Sequence, residues 1–300
     1  MAISRVRVQV NGTWHTLTLG SDGKYTATIT APGATSYHQS GGYYNIKVEA
    51  TNTAGTVVTT DASSLNSLKL VVKEKIAPVI AILSPASGAS VTNNKQAVTF
   101  TVTDESGGSG VNLSSLVVKQ DGTAVASSTI TTTAITNGYS VTYTPATALS
   151  DGSHTVQISV SDNDGNAATA KSTTYKIDTV PPTLNVTAPT DALITNTASL
   201  VVRGTTNDAT SSPVTVTITL NGASQGTVTV GTDGSFSKTV SLAEGSNTIV
   251  VKATDAAGKV STVNRTVTLD TSAPKVVSAT ITPNPIDAGA TMVITVVVSG

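Results

Sequence analysis

The chain contains no cysteine. That excludes a disulfide framework, a thiolate metal centre and a thiol nucleophile. Histidine is scarce: His15, His38 and His154 are the only imidazoles and lie far apart in sequence. Charged residues make up 12% and the net charge is -1, where an average soluble protein carries ~25% charged residues. A nucleic-acid partner needs clustered Lys and Arg to displace counterions, and no such cluster occurs, so none is expected. Aromatics are 3% of the residues. No apolar run approaches the ~18 residues of a membrane span, so membrane insertion is not expected either. Met1-Ala2-Ile3-Ser4-Arg5 leads directly into strand-like alternation without the apolar region of a signal peptide. No secretory signal or C-terminal sorting tail is therefore expected.

What the chain does have is threonine, 55 of 300 residues, with valine, 39 residues, also abundant. β-Branched side chains at this density favour strands over helices. An apolar content of 38% is enough to build a core, unlike a disordered chain.

One pattern occurs three times: Gly42-x-Tyr44-x-Ile46-x-Val48-x-Ala50-x-Asn52-x-x-Gly55, the run from Gly152 to Gly165, and the run from Gly245 to Gly258. Apolar and polar residues alternate, the period of a half-buried strand. The closing Asn or Asp and Gly tolerate left-handed backbone and make a turn. A second alternating run follows each turn, at 68–72, 167–177 and 260–269. Ala77-Pro78, Pro181-Pro182 and Ala273-Pro274 each precede an apolar stretch. Each unit of about 100 residues then holds about seven short strands, the pattern of an antiparallel β-sandwich. The short linkers predict a rod with limited bending. The predicted segments are 1–76, 77–178, 179–270 and 271–300.

The Asp-Thr-x-x-Pro linkers (Asp178 to Pro182, Asp270 to Pro274) and the D-x-x-G turns make the chain resemble tandem bacterial immunoglobulin-like domains. The resemblance covers nearly the whole chain. It implies an all-β protein of tandem immunoglobulin-like antiparallel β-sandwiches. For function it implies only a range, because such modules serve as stalks, adhesins and phage surface decorations.

The third unit is a ruler for the others. Its strands are expected at 184–186 (A), 198–202 (B), 214–220 (C), 227–230 (C′ or D) and 236–240 (E), followed by F and G. Val6, Val8 and Val10 match Val216, Ile218 and Leu220, and Asn11-Gly12 matches Asn221-Gly222. One residue later in register, Tyr25 matches Phe236. The first unit thus begins at strand C. At the other end Ala290, Met292 and Ile294 match Ala198, Leu200 and Val202, so the last segment reads as strands A and B. The expectation is that the ends are incomplete domains that complement each other between subunits, Met292–Val298 lying beside Lys24–Ile29. Val6, Val8, Val10, Tyr25, Ile29, Met292, Ile294, Val296 and Val298 would form that interface. Docking of the tail on another protein, or a cut from a longer repeat protein, is equally open.

Candidate chemistry is sparse. Asp104-Glu105-Ser106-Gly107-Gly108-Ser109-Gly110 is acidic and Gly-rich, and Asp162-Asn163-Asp164-Gly165-Asn166 would add ligands if both loops lie at one domain end. Asp104, Asp162 and Asp164 are candidate ligands for Ca²⁺, which takes six to eight oxygens. Asp162 also fills the turn slot that Asn52 and Asp255 fill, which explains it without a metal. No other cofactor is expected. Tyr37, His38 and Tyr43 lie in the one aromatic cluster, and tyrosine rings stack on sugar faces; Tyr44 reads equally as a core or corner tyrosine. His154 occupies the slot of Tyr44 and Asn247 and reads as structural. No paired carboxylates, Ser/His/Asp set or phosphate loop occurs, so the chain reads as non-enzymatic.

Three function classes follow. The first is a structural or decorating protein of a phage particle, made in the bacterial cytoplasm and located on the virion, with other copies, other virion proteins or a host-surface glycan as partners. The segment Ile281 to Gly289 is similar to the ends of phage tail-associated chains. The second is a piece of an adhesin or surface stalk at the cell surface, and the third a carbohydrate-binding accessory module.

Overall fold

The computed structural model describes residues 2–300. It is all β, with short 3₁₀ turns. Among the described residues no helix is long and apolar enough to cross a membrane. Contacts divide the chain into two compact units, residues 1–177 and 178–300.

The second half of the first unit is a two-sheet sandwich. One sheet runs Val79–Ser84, Val98–Thr103, Gly138–Tyr143, Ile130–Ile135. The other runs Ser90–Val91, Lys171–Ile177, Gly152–Asp162, Val111–Gln120, Thr123–Ala124. The fold follows from alternation: in Val98–Thr103 every second residue (Val98, Phe100, Val102) is buried. Val156, Ile158 and Val160 meet them from the facing sheet to form one core.

The second unit repeats this plan. Thr183–Ala188, Ser199–Asn207 and Ser235–Ser241 form one sheet. Leu193–Thr195, Val260–Leu269, Gly245–Thr254, Thr215–Leu220 and Ala223–Ser224 form the other. Ser90–Val91 and Leu193–Thr195 each pair in parallel with the last strand of their sandwich. Residues 227–230, expected as a strand, form only a bridge from Val230 to Phe236. The strand after the Asn221-Gly222 turn is Ala223–Ser224, because a two-residue turn with left-handed backbone at both positions closes the hairpin at once.

The N-terminal 70 or so residues are organised differently. Ile3–Val10 pairs with Thr13–Thr16 and with Lys47–Asn52, which also carries Val57–Thr60. The run expected at 68–72 shortens to Lys69–Leu70, and the strand directly after the Gly55 turn is Val57–Thr60. The expected strand at 24–29 shrinks to Tyr25–Thr26, paired only with Thr18–Leu19. Ile29 is half-buried outside any strand. Backbone that gains a partner on one side only has few ladder bonds to hold it extended.

At the other end Lys275–Thr282 and Val293–Ser299 pair only with each other, and every residue of both strands is exposed. Met292 lies just ahead of the second strand rather than in it.

Candidate functional site

Acidic loops and a linker converge at one end of the first unit's sandwich. The loop after Val98–Thr103 meets the turn after Gly152–Asp162, as the sequence reading required for shared ligands. The Asn163 side chain donates to the carbonyls of Ser109 and Gly110, both at 2.9 Å, and the Asp164 N–H donates to Ser109 Oγ at 3.0 Å. The carboxylates nevertheless separate by role. Asp162 is consumed by its turn: Oδ1 accepts from Gly165 and Asn166 N–H, and Oδ2 from the Asn166 side chain at 2.7 Å. Asp164 Oδ2 accepts from the Thr35 hydroxyl and from Glu74 N–H at 3.0 Å. Of the three residues picked from sequence, Asp104 is the one with a buried oxygen left over. Its Oδ2 accepts from Gly110 N–H at 2.7 Å, and its Oδ1 has no partner.

Two more residues complete the group, Glu105 from the acidic loop named above and Glu74, which the sequence reading missed. Glu74, in the linker, and Glu105 bring carboxylate oxygens that lie with Asp104 within 4.8 Å of one another. Burial, opposed by the Gly110 N–H bond, pushes the Asp104 carboxyl above its ordinary value, and the charges of Glu74, Asp162 and Asp164 push the same way. A spacing could have found Glu74. Glu74 and Asp178 each stand four residues ahead of a proline (Pro78, Pro182) and thirty ahead of an aspartate (Asp104, Asp208).

The second unit has the matching group: Asp178, Asp208 and Asp255 also place carboxylate oxygens within 4.8 Å of one another. Asp178 is fully buried, and Asp255 is 6% exposed.

The aromatic residues do not form one platform. Tyr37 and His38 are in edge contact at 5.3 Å, and His38 Nε2 lies 2.7 Å from the Gly108 carbonyl. They line an open cavity of about 420 Å³ together with Asp104, Glu105 and Tyr139. Tyr43 lies elsewhere, its ring 4.9 Å from Lys69 Nζ. Tyr44 is a buried structural residue whose hydroxyl donates to the Ala34 carbonyl at 3.1 Å.

The slot shared by Tyr44, His154 and Asn247 is buried in all three repeats. His154 Nδ1 lies 2.7 Å from Asp121 Oδ2, and Nε2 lies 2.8 Å from the Ser150 carbonyl. Burial pushes the imidazole pKa down, but these bonds and the Asp121 charge outweigh it and hold the value above 6.5. Nearby, burial pushes the Tyr175 phenol up to about 12.

Two family models match parts of the chain. Residues 84–179 match the model described as bacterial Ig-like domain, and residues 182–271 match glucodextranase, domain B. The chain is built of tandem immunoglobulin-like domains. Neither model over these Ig-like domains is a catalytic family, and glucodextranase domain B is an accessory domain. No curated protein matches the chain. Among solved structures, titin domains A168–A170 are 15% identical over 87% of this chain and 86% of that one, with a TM-score of 0.41. The fibronectin(III)-like modules of CbhA from Clostridium thermocellum are 18% identical over 64% of this chain and 94% of theirs, with a TM-score of 0.40. The Sidekick-1 immunoglobulin domains 1–5 are 14% identical over 98% of this chain and 60% of theirs, with a TM-score of 0.39.

Proposed function

We propose that the chain is a non-enzymatic structural protein of a phage particle, tail-associated or surface-decorating, that assembles by strand complementation between copies. The observation that carries the assembly is the exposed hairpin Lys275–Thr282/Val293–Ser299. Ile294, Val296 and Val298 are 57%, 50% and 62% exposed. In the second unit's sandwich the equivalent strand Ser199–Asn207 pairs with Ser235–Ser241. The outer edge of Val293–Ser299 has no strand beside it among the described residues. The first repeat offers the matching edge: Tyr25–Thr26 pairs on one side only, and Val6, Val8 and Val10 in the sheet of Ile3–Val10 stay half-buried. Burying four apolar side chains such as Met292, Ile294, Val296 and Val298 contributes roughly 6–12 kcal/mol before entropy costs, at ~1.5–3 each. Head-to-tail pairing of this kind builds rings or filaments. The phage setting is supported only by the similarity of residues 281–289 to the ends of tail-associated chains.

Sedimentation velocity on the full chain tests the assembly. The average mass is expected to rise with concentration, and Ile294→Lys with Val296→Lys is expected to abolish the rise without changing the unfolding of either sandwich. A chain that stays monomeric into the millimolar range overturns complementation between copies. A coding sequence set among adhesin or polysaccharide-degradation genes, rather than capsid and tail genes, overturns the particle setting.

A further inference from the structure

We propose that the two acidic groups at the linker ends of the sandwiches are calcium sites, one per complete domain. Three observations carry this. The first is orphaned buried oxygen. Asp104 Oδ1, Glu74 Oε2 and Glu105 Oε2 have no hydrogen-bond partner, and neither do Asp178 Oδ2 and Asp255 Oδ2. Asp104, Asp178 and Asp255 are 7%, 0% and 6% exposed. A buried acceptor without a donor is costly, and a buried carboxylate among carboxylates more so, unless a cation takes the charge.

The second is that the other oxygens of these groups are tied down. Asp178 Oδ1 accepts from Val180 N–H at 3.1 Å. Asp255 Oδ1 accepts from Ala257 and Lys259 N–H at 2.8 and 2.9 Å. Asp208 Oδ1 accepts from Thr210 and Ser211 N–H at 2.8 and 2.7 Å. Glu74 Oε1 accepts from Ser109 N–H. Asp178, Asp255, Asp208 and Glu74 are thus oriented through one oxygen, and Asp178, Asp255 and Glu74 each leave the second oxygen free. Cation ligands are commonly held in this way. In the first group a Cβ on Gly108 would sit 2.8 Å from Asp104 Oδ2 and 2.7 Å from Glu105 Oε1. A side chain there would push the two carboxylates out of their present places.

The third is recurrence. A linker acid and an aspartate thirty residues after it recur in both groups, and the third carboxylate comes from the turn (Asp255) in one and from the loop (Glu105) in the other.

The chemistry selects the ion. All donors are carboxylate oxygens, with no imidazole or thiol, which favours a hard cation over zinc or copper. Ligands of one Ca²⁺ at 2.3–2.6 Å lie at most about 5 Å apart, and the carboxylate oxygens of each group fall within that reach; Ca²⁺ accepts an irregular set of six to eight oxygens, whereas Mg²⁺ demands near-ideal octahedral geometry. Carbonyls and water would complete the six to eight oxygens. Bound there, the ion ties the linker residue to the loops of the domain that follows it, fixing how the chain enters each domain.

The test is calorimetric titration of the chelator-stripped full chain with calcium chloride, alongside its melting curve. Two saturable sites and a raised melting temperature are expected. Asp178→Asn should remove one site and Asp104→Asn the other, with the far-ultraviolet circular dichroism unchanged. The double variant should lose both sites and the thermal shift. The absence of saturable binding at millimolar calcium overturns the proposal, as do two sites surviving in the folded double variant. Magnesium binding as tight as calcium overturns the assignment of the ion. Because self-association is not read, failure here is separate from failure of the assembly reading.

Discussion

The first and third repeats carry the same apolar pattern, yet they bury it to different depths. Val216, Ile218 and Leu220 are 4%, 0% and 8% exposed, while their counterparts Val6, Val8 and Val10 are half-buried. Phe236 is buried and its counterpart Tyr25 is half-buried. The local sequence is equivalent, so the difference lies in what stands opposite. In the third repeat the three-stranded sheet Thr183–Ala188, Ser199–Asn207 and Ser235–Ser241 closes the sandwich. In the first repeat the described residues offer, apart from the sheet of Ile3–Val10, only two small two-stranded pieces, Thr18–Leu19 with Tyr25–Thr26 and Tyr44–Asn45 with Lys69–Leu70. Alternation makes a strand amphipathic, but burial needs a second layer.

The largest effect should come from the aromatic pair. Phe236→Ala is expected to cost ~3–5 kcal/mol in the unfolding of its unit, as for a large-to-small change in a filled core. Tyr25→Ala should cost clearly less in denaturant titration of the dilute chain. Equal losses would break the comparison and mean that the first repeat is already closed.

The shared slot sharpens it next. Asn247 is fully buried; its side chain donates to the carbonyls of Ala243 and Gly245 and accepts from Ala243 N–H. Asn247→Ala orphans those groups and should cost about 1–3 kcal/mol. Tyr44→Phe removes one hydroxyl bond to Ala34 and should cost about 1 kcal/mol. Chemical denaturation of the two variants checks the order.

The smallest effect is a pH dependence confined to the second repeat. The His154 pKa is raised in the fold, so its contribution is complete below the unfolded value near 6.5 and is lost as pH rises through the raised value. Burial pushes Asp121 up, but bonds from His154 and Thr155 N–H hold its pKa below 3.8. Its contribution is therefore present above 3.8 and lost as pH falls through the lowered value. The pair stabilises most between these limits. Melting curves across pH should show the loss on the alkaline side, and His154→Gln should remove it.

Much of this was legible in residue order. The strand positions of Gly152–Asp162 and Gly245–Thr254 follow from period-two alternation and a terminal turn, both local. The turn role of Asp162 was legible for the same reason, since its partners lie within four residues. The role of Glu74 was not: it lies between Lys73 and Lys75 in a linker, and only folding sets its carboxylate against Asp104 and Glu105. The short strand at Tyr25–Thr26 also escaped, because its neighbours keep an alternating pattern with no adjoining strand to make it useful.

Sequence by itself determined that this chain is β, that it repeats, and where its turns fall. These depend on side-chain period and backbone preference over a few residues. Tertiary structure alone decided which apolar faces are covered and which carboxylates are left without a donor. Both depend on what lies opposite, and residues far apart in the chain supply it.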